Sequence, residues 1–139
     1  MGKAKKTVVA CMGALGIAAA GAAIFPATAS AAGYGGQCGA GYDVIDSHEL
    51  KGGTIFLTYN GDQNCVVTVR DKAGDPTKMG AGVRVFDGSG NQKYENEGEF
   101  QEYAGPVFVS AKGQCVDWGG YIGSAENQWT ANEPTHCGS

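Results

Sequence analysis

A chain of 139 residues with 24 glycines is long enough for one ordinary domain and poorly suited to helices, because glycine loses more backbone freedom in a helix than other residues do. Its formal charge of −4 repels phosphate backbones and anionic lipid. No nucleic-acid partner is expected.

Lys3, Lys5 and Lys6 open the chain with a short positive region, Thr7 to Phe25 is apolar and rich in Ala and Gly, and Pro26 to Ala31 ends in small residues at A-x-A spacing. That order reads as a secretory signal peptide over residues 1–31, cleaved after Ala31 or, as second choice, after Ala29. The apolar run is about 19 residues long, near the lower limit for spanning a bilayer, and the small-residue cleavage pattern argues against a retained anchor. Val8-Val9-Ala10-Cys11 only loosely resembles a lipoprotein box, since Cys11 lacks a full apolar region before it. A single secreted β domain is expected over residues 32–139, with seven Lys and Arg against fourteen carboxylates and hence a charge of −7. No membrane partner is expected once the leader is removed.

Ala32 to Gln37 is a Gly-rich leader expected to stay mobile. Tyr42 to His48 shows the first strand-like alternation. Gly53 to Val69 then carries two β-branched and aromatic runs around Asn60-Gly61-Asp62-Gln63-Asn64, the mark of a hairpin, because Asn and Gly tolerate the positive φ that reverses two twisted strands. Asp71 to Pro76 is a loop, since Pro lacks the amide a strand interior needs. Met79, Ala81, Val83 and Val85 recur at period two and predict a half-buried strand, whose glycines allow close approach or a bulge.

Asp87 to Asn91 is the next turn, and Tyr94 to Tyr103 is a polar, edge-like strand that Gly105-Pro106 breaks. Val107 to Lys112 alternates, Lys112-Gly113-Gln114 turns, and Cys115 to Trp118 is extended. Beyond Gly119-Gly120 the tail reads as irregular until Cys137. About seven short strands with frequent turns predict an all-β fold, an antiparallel sandwich or barrel.

Four cysteines lie beyond the leader: Cys38, Cys65, Cys115 and Cys137. In an exported chain they imply two disulfides with three possible connectivities. In a meander of strands 42–48, 54–60 and 64–70, the starts of the first and third strands share one end of the sheet. They stand about 9 to 10 Å apart, more than the usual Cα separation of about 4.4 to 6.8 Å in a disulfide. Cys38 precedes Tyr42 on flexible glycines and can lean across, which favours Cys38 with Cys65 and leaves Cys115 with Cys137. Zinc is not expected, because Cys115, His136 and Cys137 lack ligand spacing.

Asp46-Ser47-His48 contains the residue types of a hydrolytic triad, but adjacent strand residues point to opposite faces and cannot converge. Asp87-x-Ser89-x-Asn91 imitates the start of a calcium loop, yet Gln92 and Gly98 stand where Gly and Glu are required, so a turn is the better reading. Glu95, Glu97 and Glu99 place three carboxylates on one face of the presumed edge strand, either to hold a cation or basic partner or to protect the edge from pairing. Trp118, Tyr121 and Trp129 cluster in the final cysteine loop. Exposed there, they could stack on sugars; buried, they would be core. Trp129, flanked by Asn127, Gln128, Thr130 and Asn132, is the candidate for exposure, and Trp118, after Val116, for burial.

Cys38-Gly39-x-Gly41-Tyr42, Val44 to His48, Thr58-Tyr59-Asn60, Asn64 to Thr68, Tyr103 to Val107, Cys115-Val116-x-Trp118-Gly119-Gly120 and His136-Cys137-Gly138 together resemble the spore-associated protein A group of small secreted actinomycete proteins. The resemblance runs in order along the whole of residues 32–139, departs in the acidic segment Asp87 to Glu102, and brings no catalytic residues with it. It implies export and association with the spore or aerial-hypha surface. The expected role is non-catalytic, structural or interactive, without a cofactor, and the expected partner is cell-wall glycan or the spore surface. The alternatives are a glycan-binding module using the C-terminal aromatics and a small secreted hydrolase.

Overall fold

Asn60 closes the hairpin foreseen around it. Its side-chain oxygen accepts the amides of Asp62 (2.9 Å) and Gln63 (2.7 Å), and Gly61 takes φ +99°, a value open to glycine. The computed structural model describes residues 33–89, 94–131 and 133–138, within the unit Ala31–Ser139. The expected signal peptide, residues 1–31, lies outside the described residues, as does Ala32.

Eight strands follow in order: β1 Asp43–Leu50, β2 Gly53–Tyr59, β3 Gln63–Arg70, β4 Thr77–Val85, β5 Asn96–Phe100, β6 Tyr103–Ser110, β7 Val116–Ile122 and β8 Gln128–Thr130. They form two antiparallel four-stranded sheets in the orders β1-β2-β3-β6 and β5-β4-β7-β8. Of the sandwich and barrel left open above, this is the sandwich. Its first three strands are the expected meander.

Strand alternation sends Ile55, Leu57 and Val66 of the first sheet inward against Met79, Ala81, Val83, Val116, Trp118 and Ile122 of the second, and all nine are buried. At about 1.5–3 kcal/mol for each large side chain, this is the main source of stability. Thr68 also points inward, and its hydroxyl donates to the Gly80 carbonyl (2.9 Å) across the sandwich.

The opposite alternation puts Phe56, Cys65, Val67 and Val69 on the outer face of the first sheet, yet they too are buried. Residues 33–38 cover them, contrary to the expectation of a mobile leader. Tyr34 packs on Phe56 (centroids 5.6 Å apart) and its hydroxyl accepts the Cys38 amide (3.3 Å). The glycines of this segment suggested freedom, but Tyr34 and Cys38 anchor it.

Both disulfides pair as expected, Cys38 with Cys65 and Cys115 with Cys137. The first spans 6.2 Å between Cα atoms, and beside it the Tyr42 hydroxyl donates to Gln63 (2.9 Å). The ends of β1 and β3 therefore meet.

Two boundaries differ from expectation. Gly105-Pro106 does not end a strand but lies inside β6, an edge strand, where Pro106 needs no ladder partner on its open side. The chain past Gly119-Gly120 is not irregular, since β7 continues to Ile122 and β8 pairs with it after a 3-10 turn at Ala125–Asn127. Both glycines are required by crowding. A Cβ on Gly119 would strike the Trp129 carbonyl, and one on Gly120 would strike the Thr68 hydroxyl.

Candidate functional site

On the outer face of the second sheet the register sets Glu97, Gly80, Tyr121 and Gln128 side by side across β5, β4, β7 and β8. Gly80 has no side chain, so the Tyr121 ring lies over the backbone there. A Cβ at Gly80 would run into that ring and come within 3.2 Å of the Tyr94 Cβ. Tyr94, just before β5, packs edge-on against Tyr121, with ring centroids 5.1 Å apart and planes at 68°.

Both phenols are tethered. The Tyr121 hydroxyl donates to Glu97 Oε2 (2.8 Å) and the Tyr94 hydroxyl to Gln128 Oε1 (2.8 Å). The far wall is the 3-10 turn, which Asn127 fixes by accepting the Lys51 amide (3.1 Å) and donating to the Lys51 carbonyl (2.7 Å) and the Ile122 carbonyl (3.0 Å). The result is an open cleft of about 390 Å³ lined by Lys78, Tyr94, Glu97, Tyr121, Ser124 and Gln128, among others. A second depression beside Glu99 shares Lys78, Glu97 and Tyr121 with it.

Burial pushes the Tyr121 phenol up to about 12, helped by its hydrogen bond to Glu97 and by that carboxylate's charge. Tyr94 is raised too, by burial first and the Glu97 charge second. Both rings therefore stay neutral and donate hydrogen bonds at ordinary pH. Two fixed aromatic rings beside amide, hydroxyl and carboxylate groups can stack on a ligand ring and bond its rim, which is the division of labour of a binding site.

The chain is 48% identical over 124 residues to Spore-associated protein A of Streptomyces coelicolor, an alignment covering 87% of this chain and 75% of the relative. This chain belongs to the spore-associated protein A family. No family model matches it, and no solved structure does.

Of the three C-terminal aromatics singled out in this spore-associated protein A family member, only Tyr121 reaches the cleft. Trp118 is 1% exposed in the core, as its place after Val116 suggested. Trp129 is half-buried rather than exposed. Alternation on β8 turns it inward, where it packs edge-on against Trp118 (4.8 Å) and stacks on His48 (4.2 Å, planes within 11°). Its polar neighbours Gln128 and Thr130 face the other way. The period-two rule separates them from Trp129, and their polarity says nothing about its exposure.

Tyr94 was missed because it stands next to a turn, and only the register of β5, β4 and β7 brings it to Tyr121. Another pairing was equally hidden. His136 Nε2 lies 2.9 Å from Asp46 Oδ2, joining the C-terminal segment to β1 across 90 residues. Regular alternation after the register shift at Ile45 puts Asp46 and His48 on one face, while Ser47 faces away. Asp46, Ser47 and His48 thus do not converge, as alternation required.

Among the described residues no group of three or more His, Cys, Asp or Glu is placed to hold a metal ion. Of the calcium-like stretch after β4, Asp87 and Ser89 already meet a cation, while Asn91 and Gln92 lie outside the described residues. Arg84 reaches Ser89 Oγ (3.2 Å), Asp87 (3.8 Å) and the fully buried Asp117 (2.9 Å). The Ser89 amide holds the Asp87 carboxyl below its usual range. Glu97 and Glu99 lie on β5, an edge strand as expected, and Glu97 also serves the cleft.

Proposed function

We propose that the mature chain is a secreted protein of the spore or hypha surface that binds cell-wall glycan through the Tyr94–Tyr121 cleft and carries out no catalysis. Three things support export and a surface location. The N-terminus has the order of a signal peptide, both disulfides suit an oxidising compartment, and a family member bears the name spore-associated. The observation that carries the binding reading is the tyrosine pair itself. The Tyr121 ring sits over a side-chain-free backbone at Gly80, the Tyr94 ring packs edge-on against it, and their hydroxyls are already held by Glu97 and Gln128. Such a platform is rigid before any ligand arrives, which lowers the entropy lost on binding.

Co-sedimentation of the secreted protein with purified spore and hyphal walls tests this. The protein is expected in the pellet, and Tyr121→Ala is expected to weaken attachment by about 1 to 3 kcal/mol, the scale of an aromatic contact residue. Attachment unchanged in Tyr121→Ala would remove the cleft from the reading. Failure to sediment with either wall would remove the reading itself.

A further inference from the structure

We propose that the glycan bound by the tyrosine cleft is cationic, an amino sugar whose nitrogen is free rather than acylated. The inference rests on the glycan reading above and narrows it by charge.

The cleft is lined by one cation, Lys78, and register places that lysine directly across from Glu99 on β5. Glu97 has Gly80 across from it instead, and among the described residues it forms no ion pair with Lys78, which lines the same cleft. One of its oxygens accepts the Tyr121 hydroxyl, which leaves the second for a ligand. Glu95 and Glu126 are exposed on either side, the first leading into β5 and the second on the 3-10 turn that walls the cleft. With Glu95 and Glu126 in the segments that flank it, the cleft itself therefore holds one carboxylate, Glu97, over an aromatic floor. An ammonium group gains from both, through a charge-assisted hydrogen bond to the carboxylate and through attraction to the face of a neutral phenol ring. The charge of −7 on the mature chain adds a long-range pull toward a polycation. A sugar ring fits better than a bare lysine side chain, because the walls also offer the Ser124 hydroxyl and the Gln128 amide to ring hydroxyls.

Isothermal titration of the secreted protein against three probes decides the matter: oligomers of glucosamine, oligomers of N-acetylglucosamine of equal length, and an oligolysine peptide. The glucosamine oligomer should bind about tenfold more tightly than the acetylated one, a factor in keeping with one desolvated ammonium contact. Glu97→Gln, which keeps an acceptor for Tyr121, should erase that preference, and added salt should weaken the glucosamine oligomer selectively. Glu99→Gln serves as a second variant if Glu97→Gln melts early. Equal or tighter binding of the acetylated oligomer overturns the charge inference and leaves the glycan reading standing. Oligolysine binding as tightly as glucosamine overturns the assignment to a sugar. If no probe binds while the protein still sediments with walls, the amino-sugar inference falls and wall attachment survives it.

Discussion

Tyr121 joins the outer face of the second sheet to a measurable titration. Its folded-state value of about 12 stands above the ordinary 10.0 because burial and the Glu97 carboxylate both oppose the phenolate. Between those values the native chain holds a proton that an unfolded tyrosine has released. Stability from this group is accordingly intact below about pH 10 and falls as pH rises toward about 12. Phenolate absorbance should show one late-titrating tyrosine, and Glu97→Gln should bring it earlier while burial keeps it above the ordinary value. A Tyr121 that titrates normally in the native protein would mean that the ring is neither buried there nor tethered to Glu97. The tryptophans separate by depth. Trp118→Ala is expected to cost about 3 to 5 kcal/mol in denaturant unfolding, as for a truncated core aromatic. Trp129→Ala should destabilise too, though less, since it loses its contacts with Trp118 and His48 from a half-buried position.

At the scale of elements, β7 shows how glycine can mislead a reader of sequence. Gly119-Gly120 has the composition of a break, yet both lie mid-strand, pressed by β8 on one side and by Thr68 on the other. A Cβ at Gly120 would also come within 2.7 Å of the Gly80 carbonyl, and backbone cannot swing aside as a side-chain tip can. Gly120→Ala is therefore expected to lower stability by about 1 to 3 kcal/mol, the range for overpacking, as read by thermal denaturation. The hairpin β2–β3, by contrast, was legible almost to the residue, because its β-branched runs and its Asn-Gly turn are local signals. The pairing Cys38–Cys65 was legible as well, since a meander leaves the first and third strands little choice about which ends meet. Replacing both cysteines of either bridge by Ser should cost about 3 to 4 kcal/mol for closed loops of this length. Loss of Cys38–Cys65 should in addition raise hydrogen exchange in residues 33–38, which that bridge and Tyr34 hold against Phe56.

For the molecule as a whole, an all-β antiparallel fold could be foreseen from strand patterning, whereas the choice of two sheets over a barrel and the partners across the sheets could not. β3 pairs with β6 and β4 with β7 over long sequence separations, and nothing local in those strands names a partner. The face proposed for binding inherits that limit. Tyr121 was visible as a candidate, but Tyr94 with Glu97, Gly80 and Gln128 come from three other segments that only the finished sheet aligns. The chain also offers other surfaces, among them Phe108, 45% exposed beside Tyr42 on the first sheet, and the His48–Trp129 edge. Mapping by nuclear magnetic resonance chooses among them directly: labelled protein of residues 32–139 is titrated with soluble wall-glycan fragments while backbone and aromatic signals are followed. Shifts concentrated on Tyr94, Glu97, Tyr121 and residues 123–128 are the predicted result. Shifts confined to Trp129 and His48, or to Phe108 and Tyr42, would contradict the assignment of binding to the tyrosine cleft.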